Sequence, residues 1–113
     1  MISWRVFTAS DTKISHKYNP INQRDQDWII KELSVQKLAL CQQEHGDKVA
    51  YVNENYTDQV ADALVTNIPQ IGLGIKTADC ACVLLHSIDN SVIGAVHLGW
   101  RGAKSDLLYK TQI

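Results

Sequence analysis

The chain has 113 residues, of which 45% are hydrophobic and 20% charged, a composition that indicates one small globular domain and excludes a disordered chain. Eleven Lys and Arg against twelve Asp and Glu give a formal charge of −1, so nothing in the charge favours binding to nucleic acid or to an anionic membrane. No apolar run reaches the roughly 20 residues that a membrane-spanning helix needs, and the first residues lack the pattern of a secretory signal.

The first third of the chain predicts a strand, a loop and a helix. Alternating side chains over Ser3–Thr8 indicate a short strand. The stretch Asp11–Asn22 is polar and lacks periodicity, which is typical of a loop. Apolar residues at helical spacing, Trp28 and Ile29 among them, predict a helix over Asp25–Leu33.

The middle of the chain predicts strands. Lys37–Gln42 and Lys48–Val52 have strand patterns, and the Gly46-Asp47 pair between them suits a turn with unusual backbone angles. Ala61–Thr66 is short and apolar, so it predicts either a strand or a helical turn.

The last third predicts buried strands followed by a helix. Ile71–Leu85 is almost continuously apolar, which suits a buried strand pair or one strand running into a tight turn. Asp89-Asn90 marks a turn, Val92–Val96 a buried strand, and Ala103–Lys110 the beginning of a helix. Strands therefore dominate, with a helix at each end, in a single domain over residues 1–113.

The cysteines favour a reducing, cytoplasmic setting, because Cys41, Cys80 and Cys82 are an odd number without the spacing of a disulfide framework. Cys82 has apolar neighbours on both sides and Cys41 lies in the predicted strand Lys37–Gln42, so both are predicted to lie in the core. Cys80 is either a small buried hydrophobic residue or a functional one.

Polar residues collect at three predicted strand ends, where His45, Cys80 and His97 stand. Their spacing is not that of a zinc finger, so a local structural zinc site is not indicated. Brought together, they would form a three-ligand metal site with an open position. The alternatives are solvated histidines and a buried thiol, or Cys80 acting as a nucleophile with His97 as its base. Asp79 either orients a histidine or faces solvent.

The segment after His97 has features that suit the binding of an anion. Gly99 and Gly102 flank Trp100 and Arg101 just before a predicted helix, where glycine allows a sharp turn and backbone N–H groups favour negative charge. Arg101 has the geometry to grip phosphate or carboxylate through two hydrogen bonds. Trp100 either stacks on a planar ligand or, as a Trp does by default, is buried.

Taken together, the motifs resemble the family of purine nucleoside phosphorylases long labelled polyphenol oxidases or laccase-domain proteins, of the YfiH/YlmD type. The motifs occur in order as Gln-x-His-Gly at 43–46, Ala-Asp-Ala-Leu-Val-Thr at 61–66, Thr-Ala-Asp-Cys at 77–80 and Val-His-x-Gly-Trp-Arg-Gly at 96–102. The match runs from about Leu38 to Gly102. The resemblance implies an α/β (α+β) fold with mixed sheets flanked by helices.

The resemblance also implies a chemistry. Zinc is expected on His45, Cys80 and His97, with copper as the metal of the older label. The implied reaction converts a purine nucleoside and phosphate into the free base and ribose 1-phosphate, with adenosine deamination as a second activity. Arg101 and Asp79 are the expected catalytic residues. The expected substrate-binding residues are Trp100, Gly99 and Gly102.

Departures from the family pattern bear on activity. Leu98 replaces an alanine and Cys82 a proline, and neither position is an expected ligand. The glycine-rich Arg-x-Gly-Gly-Val-Ser loop expected near the start is missing, and family members are longer. We therefore expect an incomplete domain, completed by a partner chain or by self-association. The alternative is a catalytically inactive, metal-binding remnant.

Overall fold

Eight short strands and three helices form the regular structure of residues 2–8 and 21–111, the part of the chain that the computed structural model describes. In chain order they are α1 (Gln23–Leu33), β1 (Lys37–Ala39), β2 (Cys41–Gln42), β3 (Val49–Tyr51), β4 (Gln59–Val60), β5 (Ala63–Thr66), β6 (Ile71–Leu73), β7 (Ala81–His86), β8 (Ile93–Leu98), α2 (Trp100–Lys104) and α3 (Leu107–Lys110). The expected α/β architecture, in which helices flank mixed sheets, is confirmed.

Residues 2–8 contact α1 instead of joining a sheet. Arg5 pairs with Glu32, and the ring of Phe7 meets that of Trp28 edge-on, with 5.4 Å between the ring centroids. The strand predicted over Ser3–Thr8 is therefore wrong: its side chains alternate, but no strand among the described residues pairs with it.

Helix α1 begins at a side-chain cap. The Asn22 side-chain oxygen accepts a hydrogen bond from the backbone N–H of Asp25 at 2.8 Å. The helix predicted over Asp25–Leu33 is confirmed, and the cap explains why it begins earlier, at Gln23. Most of the loop predicted over Asp11–Asn22 lies outside the described residues.

The main sheet has four strands in the order β3-β5-β8-β7. Strands β3 and β5 are parallel, whereas β8 is antiparallel to both of its neighbours. One face packs against α3 through Ala63, Val96 and Leu107, and Leu64 on the other face joins a larger core. Of the two alternatives for Ala61–Thr66, the strand is confirmed as β5.

Two further parallel pairs, β1 with β6 and β2 with β4, contribute to the larger core. Ala39 and Cys41 pack there with Leu64. The single strand predicted over Lys37–Gln42 is divided at Leu40, because β1 and β2 pair with different strands.

Strand β7 lies at the edge of the main sheet, where β8 is the one strand of the described residues that pairs with it. Of the two alternatives for Ile71–Leu85, the buried strand pair is wrong, because β6 and β7 belong to different sheets and residues 74–80 between them are irregular. Cys82 was expected in the core, yet it is exposed, as is Leu84, because this part of the edge strand reaches solvent.

The helix predicted over Ala103–Lys110 begins earlier than expected, at Trp100, and is interrupted. It divides into α2 and α3 at Asp106, which adopts the left-handed conformation with φ of 60°. After this break, the side chain of Leu107 packs against the main sheet and is fully buried. None of the helices in the described ranges is long and apolar enough to cross a membrane.

Replacing Leu64 with alanine should lower the free energy of unfolding by about 2–5 kcal/mol, because this residue is fully buried and its loss leaves a cavity. Leu84→Ala is the matched control, since Leu84 is 49% exposed, and its effect should stay within about 0.5 kcal/mol. Urea denaturation followed by tryptophan fluorescence measures both. Equal losses of stability in the two variants would contradict this assignment of the core.

Candidate metal centre

Three segments that are distant along the chain converge at one end of the main sheet. His45 lies in the loop between β2 and β3, Cys80 immediately precedes β7, and His97 stands near the end of β8. One ligand atom from each residue lies within 4.8 Å of the others. The two imidazole rings meet edge to face with centroids 4.9 Å apart. The side chains that the sequence singled out as metal ligands therefore lie together.

The separation of these atoms suits a small metal ion. Tetrahedral ligands at zinc–nitrogen and zinc–sulfur bond lengths lie about 3.3–3.7 Å from one another. A limited rotation of exposed His45 or half-buried Cys80 spans the remaining difference. His97 is 4% exposed and keeps its place in β8.

An acidic residue, Asp62, contacts two of the three cluster residues. It lies just before β5 and is fully buried. Its Oδ2 atom lies 2.8 Å from Nδ1 of His97 and accepts a hydrogen bond from the backbone N–H of His45 at 3.0 Å. Its Oδ1 atom accepts from the N–H groups of Glu44 and Gly46, at 3.1 and 2.9 Å. Sequence analysis missed this residue. The available signal was a single acidic residue inside the apolar segment 61–66.

Asp62 also explains the conformation of the loop. Three successive N–H groups point at one carboxylate, and such a concave arrangement needs a left-handed residue. That residue is His45, with φ of 60°, and no glycine in the described ranges has a positive φ. The expectation that Gly46-Asp47 carries the unusual backbone angles is therefore wrong.

Two glycines, Gly99 just before α2 and Gly102 within it, lie close to this loop and its neighbours. A Cβ atom at Gly99 would lie 3.4 Å from Cδ2 of His45 and 3.5 Å from Sγ of Cys80, so Gly99 borders the cluster directly. Gly102 is buried, and a Cβ atom there would lie 3.2 Å from the carbonyl oxygen of Gly46. Gly102 thus lets α2 approach the loop and faces the interior.

A depression of about 210 Å³ opens over the cluster, lined by His45, Cys80, Gly99, Trp100 and Arg101. Of the two alternatives for Trp100, burial is wrong, because the residue is 71% exposed. The Arg101 guanidinium lies over the Trp100 ring, 5.2 Å from its centroid.

Asp79 borders the thiol of the cluster. It is exposed, and its Oδ1 atom lies 3.9 Å from Sγ of Cys80. Of the two roles considered for Asp79, the structure places it toward solvent, and the carboxylate that contacts a cluster histidine is Asp62.

The comparisons with known sequences agree on a family. The family described as multi-copper polyphenol oxidoreductase laccase matches residues 17–112. The chain is 36% identical over 77 residues to the purine nucleoside phosphorylase of Aquifex aeolicus, covering 67% of this chain and 36% of that protein. It is 28% identical over 116 residues to the purine nucleoside phosphorylase RC0672 of Rickettsia conorii, covering 95% and 48%. The chain thus spans less than half the length of these curated relatives.

Solved structures share the fold. Protein NMB0706 of Neisseria meningitidis, of family DUF152, matches with a TM-score of 0.72 and 27% identity, over 79% of this chain and 37% of that one. The Bacillus licheniformis hypothetical protein YfiH matches with a TM-score of 0.64 and 20% identity, over 77% and 37%. The expected YfiH-like fold is confirmed, and this chain spans only part of it.

The three thiols lie in different environments. Cys41 is buried, as predicted, and its burial, together with the negative charges of Asp62 and Asp58, raises the pKa of its thiol to about 12. Partial burial of the sulfur also raises the pKa of the Cys82 thiol, although the residue as a whole is exposed. Cys80 is half-buried at the cluster.

Iodoacetamide at pH 8, in the presence of a chelator, should modify Cys80 and Cys82 but spare Cys41. The thiolate is the reactive form, and with a pKa of about 12 only about one Cys41 thiol in ten thousand is ionised at this pH. Peptide mass spectrometry measures the three sites separately, and unfolding in urea should make all three reactive. Modification of Cys41 in the folded protein as fast as Cys82 would contradict this prediction.

Proposed function

The chain belongs to the family of multi-copper polyphenol oxidoreductase laccases, and on this premise we propose that it binds a zinc ion through His45, Cys80 and His97. The convergence of these side chains from three separate segments carries the proposal. Imidazole and thiolate are donors that zinc and copper accept, whereas Mg²⁺ and Ca²⁺ require oxygen. Three protein ligands leave a fourth position for substrate or water, which is the pattern of catalytic zinc sites.

Copper is the alternative that the family description favours, and the same donors accept it. Copper sites with two histidines and one cysteine usually add a weak axial ligand, most often Met. None of the residues that the structure describes, 2–8 and 21–111, is a Met. We therefore propose zinc, in the cytoplasm, where the Cys80 thiol stays reduced.

We propose that the centre serves purine nucleoside phosphorolysis, the activity for which the Aquifex and Rickettsia relatives are named. In that reaction the bond from ribose C1′ to the base nitrogen breaks, a phosphate oxygen bonds to C1′, and the base leaves with a proton. Zinc, when bound, supplies a Lewis acid that polarises an oxygen or activates water, and water activation would also permit deamination of adenosine.

The residues around the depression suit these substrates. Arg101 offers a planar, permanently charged group that matches phosphate through two hydrogen bonds. The exposed indole of Trp100 offers a flat face to a purine, and Gly99 leaves space beside the ligand atoms. Asp79, an exposed carboxylate beside Cys80, is the group that we propose for passing a proton from the incoming dihydrogen phosphate to the departing base.

A second candidate uses the same atoms without metal. Cys80, His97 and Asp62 match the nucleophile, the base and the orienting acid of cysteine hydrolases, since Asp62 contacts Nδ1 of His97 beside the Cys80 thiol. The two candidates differ in one property. Zinc bound at the cluster would protect Cys80 from alkylation, whereas a metal-free nucleophile would react equally with and without a chelator.

Purified protein should contain close to one equivalent of zinc by inductively coupled plasma mass spectrometry. His45→Ala and Cys80→Ser should each weaken zinc binding by about 100-fold or more, since loss of a direct ligand exceeds loss of a supporting residue. His86→Ala is the matched control, because His86 is exposed and does not belong to the cluster. Zinc below about a tenth of an equivalent would contradict the proposal, and stoichiometric copper instead would favour the alternative metal.

The zinc-loaded chain should convert inosine and phosphate to hypoxanthine and ribose 1-phosphate, measured by liquid chromatography. Arg101→Ala should raise the KM for phosphate by about 10-fold or more, because a charged hydrogen-bond donor is lost. Lys104→Ala, another exposed cation of α2, is the control. Zinc binding without any product from inosine or adenosine would contradict the activity and favour a metal-binding remnant.

A further inference from the structure

We propose that Asp62 is the positioning residue of the metal centre, setting the proton on His97 and the backbone of His45 through a single carboxylate. This inference rests on the proposed metal binding at His45, Cys80 and His97. It concerns a residue that does not itself belong to the ligand cluster.

The first part of the argument concerns the proton of His97. Both side-chain oxygens of Asp62 already accept backbone N–H groups from residues 44–46, so we assign the proton of the 2.8 Å contact between Oδ2 and Nδ1 to His97. The lone pair is then on Nε2, the ring atom left for a metal. Both side chains are buried, at 4% and 0% exposure, so water does not compete for this contact. The backbone N–H of His97 also donates to the Asp62 carbonyl at 2.7 Å, which fixes the two residues relative to each other.

The second part concerns the backbone of His45. Left-handed φ is unfavourable for a residue with a side chain, and three hydrogen bonds from residues 44–46 to Asp62 hold it there. With φ at 60°, the imidazole of His45 lies against that of His97. Without the carboxylate, the loop would lose the acceptor for three N–H groups at once.

The two roles meet at one atom. Oδ2 of Asp62 accepts from the backbone N–H of His45 and from Nδ1 of His97. An amide at position 62 cannot serve both pairs of donors, because one of its two terminal groups is itself an N–H₂ donor. Asp62→Asn therefore disturbs either the proton on His97 or the loop of His45, while it keeps nearly the same volume.

The test compares Asp62→Asn with Asp25→Asn, a buried acid of α1 outside the cluster. Cobalt binding, followed by visible absorption and by competition with a chelator of known affinity, should be weakened 10- to 100-fold in Asp62→Asn and be unchanged in Asp25→Asn. Equal cobalt affinities in the two variants would overturn the proposal.

A second measurement needs no variant and no metal. Two-bond ¹H–¹⁵N correlation spectra of the metal-free wild-type chain report which ring nitrogen of each histidine carries the proton. We expect His97 to be protonated at Nδ1, and a predominant Nε2–H form would overturn the proposal even if Asp62→Asn fails to fold. Failure of wild-type protein to bind cobalt or zinc would instead contradict the proposed function, and the proton on His97 would still decide the role of Asp62.

Discussion

The burial of one carboxylate is the constraint on which the rest of this structure depends. A buried carboxyl group is tolerated only when its oxygens have hydrogen-bond partners, and Asp62 finds them in the loop of His45 and in the ring of His97. Its backbone N–H donates to the carbonyl of Lys48, and its own carbonyl accepts from His97. The residue thus connects the segments before β3 and at the end of β8 to the start of β5. The same residue therefore holds parts of both the sheet and the site.

The sheet order explains how residues so distant in sequence become neighbours. Strand β5 lies between β3 and β8, so the loop before β3 and the last residues of β8 reach the same end of the sheet. Cys80 arrives there because β7 pairs with β8 in the register that sets Ala81 opposite Leu98. Helix α2 then covers the end of the sheet, and Gly99 and Gly102 permit its close approach.

Sequence patterns predicted the elements whose cause is local. Helical spacing identifies α1, and apolar segments identify β3 and β8. They failed where the outcome depends on distant partners. Ser3–Thr8 alternates like a strand but meets a helix. Cys82 has apolar sequence neighbours, yet it lies on an edge strand and is exposed.

The same difference between local and distant causes applies to the residues of the site. Motifs located His45, Cys80 and His97, but they gave no indication that Asp62 holds the first and the last of these residues. The left-handed backbone falls on His45 and not on Gly46, because it follows from a hydrogen-bond acceptor 17 residues away in sequence. The preference of glycine for left-handed backbone angles depends only on the residue itself, so it could not predict this position.

The wide sequence separation of the three cluster residues has a consequence for the whole chain. Any ion held by all three acts as a reversible cross-link between these segments, in addition to the sheet and the hydrogen bonds of Asp62. A ligand that binds only the folded form adds RT ln(1 + [L]/Kd) to its stability, about 2.7 kcal/mol when the free ion is at 100 times its Kd. In a short chain with small sheets, that increment is a large part of the stability typical of a domain. The fraction of the chain that is folded would then rise with the supply of metal in its surroundings.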